Sequence, residues 1–184
     1  MMRKVSVILA TAVVAGKKDN KCHALAMSGG ANNGAWEIGV MWGLAHYGEP
    51  EDYEWDVVSG VSAGSINAMY MSVWAPEDVV KMTEALSDVM ARTLTHETWK
   101  NWKLGPLWGF WMKAGLLDDE PMFSYFQYLL EDFDSFKRRF TIGTVDIASG
   151  EYVTFDQTNI LKEDLANASK SSSSIPIAFA PNHF

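Results

Sequence analysis

The hydrophobic and polar positions of the chain follow two periods, which predict strands and helices in turn. Short apolar runs that end in small residues predict strands, and apolar residues spaced three or four apart predict helices with one buried face. Strands that alternate with helices predict an α/β fold with a largely parallel sheet covered on both faces. The expected elements are a strand at 23–27, a helix with Ile38, Met41, Trp42 and Ala45 on one face, a strand at 56–59, helices at 63–74, about 77–94 and 121–133, strands at 140–145 and 151–155, and a helix from about 161.

Residues 99–115 depart from this periodicity. The stretch is rich in Trp and Gly and has neither helical nor strand spacing. Its aromatic residues allow two interpretations: a lid that inserts into a lipid interface, where Trp favours the headgroup level, or a loop that packs its rings on the core. The sequence leaves both open. The residues concerned are Trp99, Trp102, Trp108, Phe110 and Trp111.

The N-terminus differs from the rest of the chain. A basic start precedes an apolar run at 5–15 that ends in small residues, and the polar segment 17–21 follows at once. This order is typical of a secretory signal peptide, and the run is shorter than the ~20 residues of a membrane-spanning helix. We therefore expect a signal peptide at 1–15, a secreted or secretory-pathway location, and one domain at 16–184. A buried first strand at 5–9 is the alternative.

Composition and charge narrow the classes of partner. The 184 residues are 48% hydrophobic with a formal net charge of −8, which becomes −10 without the two positive charges of the leader. An acidic surface disfavours nucleic acid, because phosphate contacts need clustered Lys and Arg. The single cysteine, Cys22, excludes an intrachain disulfide and is expected to be a small buried side chain. Cys and His show no metal-ligand spacing, so neither a metal nor a cofactor is expected.

Ser62 stands in the pattern Gly60-Val61-Ser62-Ala63-Gly64, between a predicted strand and a predicted helix. This pattern is typical of a nucleophile elbow, in which a sharp turn lifts the hydroxyl off the strand end. Gly60 and Gly64 remove side chains that would collide where the strand and the helix meet. The N-terminus of the following helix favours a developing oxyanion. We interpret Ser62 as a nucleophile; a serine in an ordinary turn of small residues is the alternative.

A second turn of small residues, Ser28-Gly29-Gly30-Ala31-Asn32-Asn33-Gly34, lies between the first strand and its helix. One interpretation is a loop that binds nucleotide phosphates. However, Ala31 stands where the dinucleotide fingerprint needs glycine, and no Gly-Lys-Ser/Thr follows. The favoured interpretation is an oxyanion loop that offers the backbone N–H groups of Gly29, Gly30 and Ala31 to a tetrahedral intermediate. A nucleotide-binding α/β domain is the alternative.

Five segments, in order, resemble those of the patatin-like phospholipase family. The first pair matches the family's Gly-rich loop with its apolar helix and the Gly-x-Ser-x-Gly elbow, and the others match a Leu-Leu-Asp segment, a Thr-x-Asp hairpin and a Ser-rich helix with an Ile-Pro exit. The resemblance covers about 24–184. The segments are "LAMSGGANNGAWEIGVMWGL", "DVVSGVSAGSINA", "GLLDDEPM", "TVDIASGEYVTF" and "SSSSIPIAFAP".

The resemblance implies a three-layer α/β/α fold with a mainly parallel central sheet, and hydrolysis of acyl esters in phospholipids or other lipids, with contact at a lipid interface. It implies a Ser–Asp dyad in which Ser62 is the nucleophile. Two positions depart from the family pattern: Ala31 replaces a third glycine, and Asn33 replaces Lys or Arg. The loss of that positive charge beside the loop is expected to affect the rate more than the class of reaction.

The aspartate of the dyad has no counterpart in the sequence. In the family it lies in an Asp-Gly-Gly or Asp-Gly-Ala motif shortly after the Phe-Pro-Pro turn, whereas this sequence ends at Phe184 and holds no Asp-Gly pair. We therefore expect a domain without its C-terminal part, with the aspartate beyond residue 184; the alternative is an inactive truncated or pseudoenzyme domain that binds lipid. An internal triad of Ser62, Asp146 and His183 has α/β-hydrolase order but is disfavoured, because His183 lies where chains fray.

An N-glycosylation sequon is present at Asn167-Ala168-Ser169. It falls on a predicted helix beside the edge of the sheet that carries Ser62. We expect it to be unoccupied for that reason.

Overall fold

The computed structural model describes residues 20–92 and 98–183. The expected signal peptide at 1–15 lies outside these ranges, and so do the last two residues of the helix predicted at 77–94. The strands are β1 Ala24–Met27, β2 Val57–Val61, β3 Lys100–Asn101, β4 Gly115–Asp118, β5 Arg139–Val145, β6 Tyr152–Asp156 and β7 Ile177–Phe179. The helices are α1 Gly34–Tyr47, α2 Pro50–Tyr53, α3 Ala63–Ser72, α4 Val79–Arg92, α5 Pro106–Lys113, α6 Glu120–Leu130 and α7 Leu165–Ser173.

The larger sheet has the order β1-β2-β5-β6. β2 lies between β1 and β5 and is parallel to both, while β6 pairs with β5 antiparallel as the predicted hairpin. The register places Leu25 beside Val58 and Val58 beside Phe140. The mixed α/β fold with a mainly parallel sheet is therefore confirmed.

The hydrophobic core lies on one face of this sheet. The connections from β1 to β2 and from β2 to β5 step in the same direction, so right-handed crossovers bring their helices to the same side. α3 lies against β1, β2 and β5 there. On the opposite face, Ala24, Ala26 and Val145 are exposed. The largest side chains of the core are Ile38, Met69, Met71, Met82, Leu86, Phe126, Phe140, Ile142 and Leu165.

A second sheet, of order β3-β4-β7, was not predicted from the sequence. β3 is antiparallel to β4, and β4 is parallel to β7. α5 packs on β4 through Gly109, where a side chain would collide with the indole of Trp102. The Trp102 indole N–H donates to the carbonyl of Gly115 at 2.9 Å. These contacts explain Trp102 and Gly109 in the aperiodic stretch.

Three local expectations are corrected. Cys22 is exposed, because β1 begins two residues after it. Trp42 is only half-buried and stacks on the ring of His46, with ring centroids 4.0 Å apart. α3 ends at Ser72 instead of residue 74.

Residues 20–92 and 98–183 contain neither a helix suited to cross a membrane nor a cluster of metal-binding side chains. None of the helices in these ranges is both long enough and apolar enough to cross a bilayer. The same ranges hold no group of three or more His, Cys, Asp or Glu placed to bind a metal ion.

Candidate active site

Ser62 occupies the turn between β2 and α3 with an unusual backbone conformation. Its φ is 52° and its ψ is −121°, a combination that residues with a side chain rarely adopt. Such strain is typical of a nucleophile elbow, where the turn presents the hydroxyl at the end of the sheet. Ser62 is half-buried, at the carboxyl end of β2 and the N-terminus of α3. The positive end of the helix dipole thus lies beside the hydroxyl.

Gly60 and Gly64 allow β2 and α3 to approach this closely. A Cβ at Gly60 would collide with the carbonyl of Gly64. A Cβ at Gly64 would lie 2.5 Å from the carbonyl oxygen of Met27, at the end of β1. Both positions therefore require glycine, for the steric reason that the spacing predicts.

The Gly-rich loop reaches the same point from the neighbouring strand. A Cβ at Gly29 would lie 3.2 Å from the Cβ of Ser62, so the two residues are in contact range. In the part of the chain that the structure describes, no hydrogen bond is donated by the backbone N–H groups of Gly29, Gly30 and Ala31. Ala31 has a φ of 48°, which glycine would adopt without strain. The loop therefore holds unused donors next to a serine.

Three serine hydroxyls hold the backbone of Ser62 in its conformation. The Ser62 N–H donates to the Oγ of Ser172 at 2.8 Å, and the Ser172 hydroxyl donates in turn to the carbonyl of Gly143 at 2.6 Å. The carbonyl of Ser62 accepts hydrogen bonds from the hydroxyls of Ser65 at 2.6 Å and Ser173 at 3.2 Å. α7, which packs against α3, thus clamps the elbow.

The sequence reasoning missed this clamp, although a signal was available. Ser169, Ser172 and Ser173 are spaced three and four apart in a predicted helix, and therefore form a hydroxyl-bearing face. Ser169 is fully buried, and its Oγ lies 3.2 Å from that of Ser65. A buried polar face needs partners, which the elbow provides. The sequon at Asn167 includes this buried Ser169, a setting that supports the prediction of an unoccupied site.

Glu37 was also missed, and it links the Gly-rich loop to α3. One carboxylate oxygen accepts the N–H of Ser28 at 3.0 Å, and the other accepts the side-chain amide of Asn67 at 3.0 Å. The same amide donates to the carbonyl of Gly34 at 3.1 Å, so its orientation is fixed. The start of the loop is thereby tied to the helix that follows Ser62.

A cleft of about 1030 Å³ opens beside Ser62. This volume lies at the upper end of the range for small-molecule sites, which are mostly apolar. The cleft joins the ends of β2 and β5 to the segment after α7. Its larger apolar side chains are Val61, Val145, Ile147, Tyr152, Val153, Phe155, Ile175 and Pro176.

The residues of the disfavoured internal triad line the same cleft but are not joined to Ser62. The Asp146 carboxylate accepts the N–H of Ala148 at 2.8 Å and the hydroxyl of Ser149 at 3.0 Å. These hydrogen bonds lower the pKa of Asp146, the one from Ala148 most. His183 lies in the cleft wall and is exposed. Within residues 20–92 and 98–183, no side chain is hydrogen-bonded to the Ser62 hydroxyl.

The family of the chain follows from a family model. No curated protein sequence matches the chain. Among solved structures, VipD from Legionella pneumophila matches with a TM-score of 0.44 and 13% identity, over 89% of this chain and 44% of VipD, so the chain spans less than half of that protein. A family model described as patatin-like phospholipase matches residues 25–184, which include the loop, the elbow and α7. The chain therefore belongs to the patatin-like phospholipase family.

Proposed function

We propose that the chain carries the nucleophile of a lipid acyl hydrolase of the phospholipase A type. The observation that carries this proposal is the convergence on Ser62: a strained elbow, a helix N-terminus and a loop with unused N–H donors meet at one point. Family membership supports a fatty-acyl ester as the substrate class. The adjoining apolar cleft fits the acyl chain of such an ester.

In this mechanism the Ser62 Oγ attacks the ester carbonyl carbon and forms a tetrahedral intermediate. The N–H groups of Gly29, Gly30 and Ala31 stabilise its oxyanion; a single donor of this kind typically contributes about 3 kcal/mol. The hydroxyl proton passes to an aspartate carboxylate and then to the departing alcohol. Water, deprotonated by the same carboxylate, then hydrolyses the acyl-enzyme and frees Ser62.

The aspartate of this dyad is proposed to lie beyond residue 184. The family resemblance implies an Asp-Gly-Gly or Asp-Gly-Ala segment after the turn at 180–183, and the cleft beside Ser62 opens toward that turn, whose Pro181 and Asn182 line it. Such a segment would bring a carboxylate to the Ser62 hydroxyl. Without an adjacent base, serine is a weak nucleophile.

Labelling with a fluorophosphonate probe tests the role of Ser62. A chain extended through the aspartate segment is expected to label, whereas its Ser62→Ala variant is not. Ser124→Ala is the matched control, because Ser124 is exposed on α6 and should have no effect. Label that persists in the Ser62→Ala variant, or is absent from the extended parent, would remove Ser62 as the nucleophile.

A second candidate is an inactive domain that binds lipid. The observation in its favour is the Ser62 hydroxyl, which has no hydrogen-bond partner among the described residues. It predicts that residues 1–184 hydrolyse a p-nitrophenyl acyl ester no faster than the Ser62→Ala variant. Turnover that depends on Ser62 would exclude it.

We also propose that residues 1–15 direct secretion. The support is the basic start, the short apolar run and the small-residue exit. Expression with and without these residues tests the proposal, since the intact chain should be exported and shortened by about 15 residues at its N-terminus. Retention of the intact N-terminus inside the cell would refute it.

A further inference from the structure

α5 and the residue that precedes it by two positions expose a group of large apolar side chains. Trp111 is 80% exposed and Leu107 is 75% exposed, far above what buried aromatic and aliphatic residues show. Such a contiguous patch marks an interaction site on a soluble protein. We call it the α5 surface; it consists of Leu104, Leu107, Phe110, Trp111 and Met112.

The fold itself turns this surface outward. Gly109 is buried against Trp102 and the carbonyl of Gly115, so that side of α5 faces the small sheet. At 100° per residue, Leu107 and Trp111 lie on the side of the helix opposite Gly109. The aromatic cluster is therefore divided between the two interpretations: Trp102 anchors the helix, while Trp111 faces solvent.

The charge around the α5 surface has the sign opposite to that of the whole chain. Residues 98–117 contain three Lys and neither Asp nor Glu, in a chain with a net charge of −8. Lys100 pairs with Asp118 at 3.4 Å. Lys103 and Lys113 are exposed and, in the described ranges, have no ion-pair partner. Exposed Trp flanked by free Lys is typical of segments that lie in the interface of a bilayer.

We infer that the α5 surface docks on the surface of a phospholipid bilayer. This inference rests on the proposed function, since it names where the enzyme meets its aggregated substrate. Trp111 and Leu107 enter the boundary between headgroups and acyl chains, and Lys103 and Lys113 contact lipid phosphates. α5 has eight residues and therefore lies along the interface.

The small sheet connects this surface to the Ser62 cleft. α5 packs on β4, which pairs with β7. β7 begins at Ile177, directly after Pro176 in the cleft wall. A bilayer held at α5 is therefore linked through two strands to the wall of the cleft that receives the acyl chain.

Vesicle co-sedimentation tests the inference in a Ser62→Ala background, which prevents lipid breakdown. The vesicles are phosphatidylcholine alone and phosphatidylcholine mixed with phosphatidylglycerol. Combined Leu107→Ala and Trp111→Ala substitutions are expected to lower the partition coefficient ~10-fold or more on both. Lys103→Ala and Lys113→Ala are expected to lower it about fivefold each on the anionic vesicles only.

Tyr128→Ala is the matched control, because Tyr128 is a large exposed ring, 68% exposed, on α6. It should bind vesicles like the parent. Equal losses from Tyr128→Ala and from the Leu107 and Trp111 substitutions would overturn the inference, as would unchanged binding of the latter. So would a dimer of the parent, seen by light scattering without lipid, that Trp111→Ala dissociates.

A second assay separates this inference from the proposed function. Hydrolysis of a monomeric short-chain ester by the extended chain should depend on Ser62 and be unchanged by Trp111→Ala. If the α5 substitutions weaken vesicle binding while no ester is hydrolysed, the proposed function fails and the docking surface stands. If the ester is hydrolysed but the α5 substitutions leave vesicle binding unchanged, only the docking surface fails.

Discussion

The backbone of Ser62 predicts that glycine at this position makes the protein more stable. With φ at 52° and ψ at −121°, the residue has the conformation of the first central position of a type II′ turn, which glycine adopts readily. A non-glycine residue in such a region costs about 1–3 kcal/mol. Glycine avoids this strain but lowers the stability by ~0.5–1 kcal/mol, because it gives the unfolded chain more conformational freedom. Because the Ser62 hydroxyl makes no hydrogen bond to any residue in the described ranges, little else is lost.

We therefore expect Ser62→Gly to be about 1 kcal/mol more stable than Ser62→Ala, which keeps the Cβ and the strain. In a chain of this size that difference raises Tm by about 3 °C. The assay is urea denaturation of both variants, with midpoints compared at equal slope. Ser124→Gly and Ser124→Ala in α6 form the control pair, where glycine should be less stable by ~1 kcal/mol. An alanine variant at 62 as stable as the glycine variant would refute the strain argument.

Three further outcomes are expected. Glu37→Ala removes the acceptors of the Ser28 N–H and the Asn67 amide. Hydrogen exchange at the Ser28 amide should therefore speed up, and fluorophosphonate labelling of Ser62 should slow. Unchanged exchange would contradict a positioning role for Glu37. Arg138→Met removes the donors to three backbone carbonyls, of which that of Trp55 is buried and those of Trp74 and Ala75 are partly buried. It should destabilise the fold by about 3 kcal/mol in urea denaturation, whereas a loss below ~1 kcal/mol would mean that water replaces the guanidinium. NMR titration of Asp146 should give a pKa below 3.8, since hydrogen bonds lower the pKa of this carboxyl in the folded state. The ionised carboxylate then stabilises the fold above the unfolded-state pKa, and this stabilisation disappears as the pH falls through the folded-state pKa. The Asp146→Asn variant should lack this pH dependence. A pKa at or above 3.8 would contradict the hydrogen bonds from Ala148 and Ser149.

The features that the sequence predicted well are those encoded locally. β1, β2 and the elbow depend on the spacing of small and apolar residues within short segments, so the pattern and the geometry coincide. β7 has only three residues, which is too short for a period to show, and β4 begins at the end of the aperiodic stretch 99–115. α5 was obscured because its buried contact is a glycine, while its apolar side chains face solvent. The partners of Ser172 and Glu37 are set by tertiary packing, and a local sequence pattern does not identify them.

The clamp from α7 joins residues that are far apart in the chain. Ser62 and Ser172 are separated by 110 positions, and closing a loop of that length costs roughly 4 kcal/mol of chain entropy. During synthesis at ~5–20 residues per second, Ser172 follows Ser62 by about 5–20 s. Throughout that interval the N–H of Ser62 lacks its acceptor. The hydrogen bond from the Ser62 N–H, and with it this hold on the strained backbone, can therefore form only after Ser172 has been synthesised.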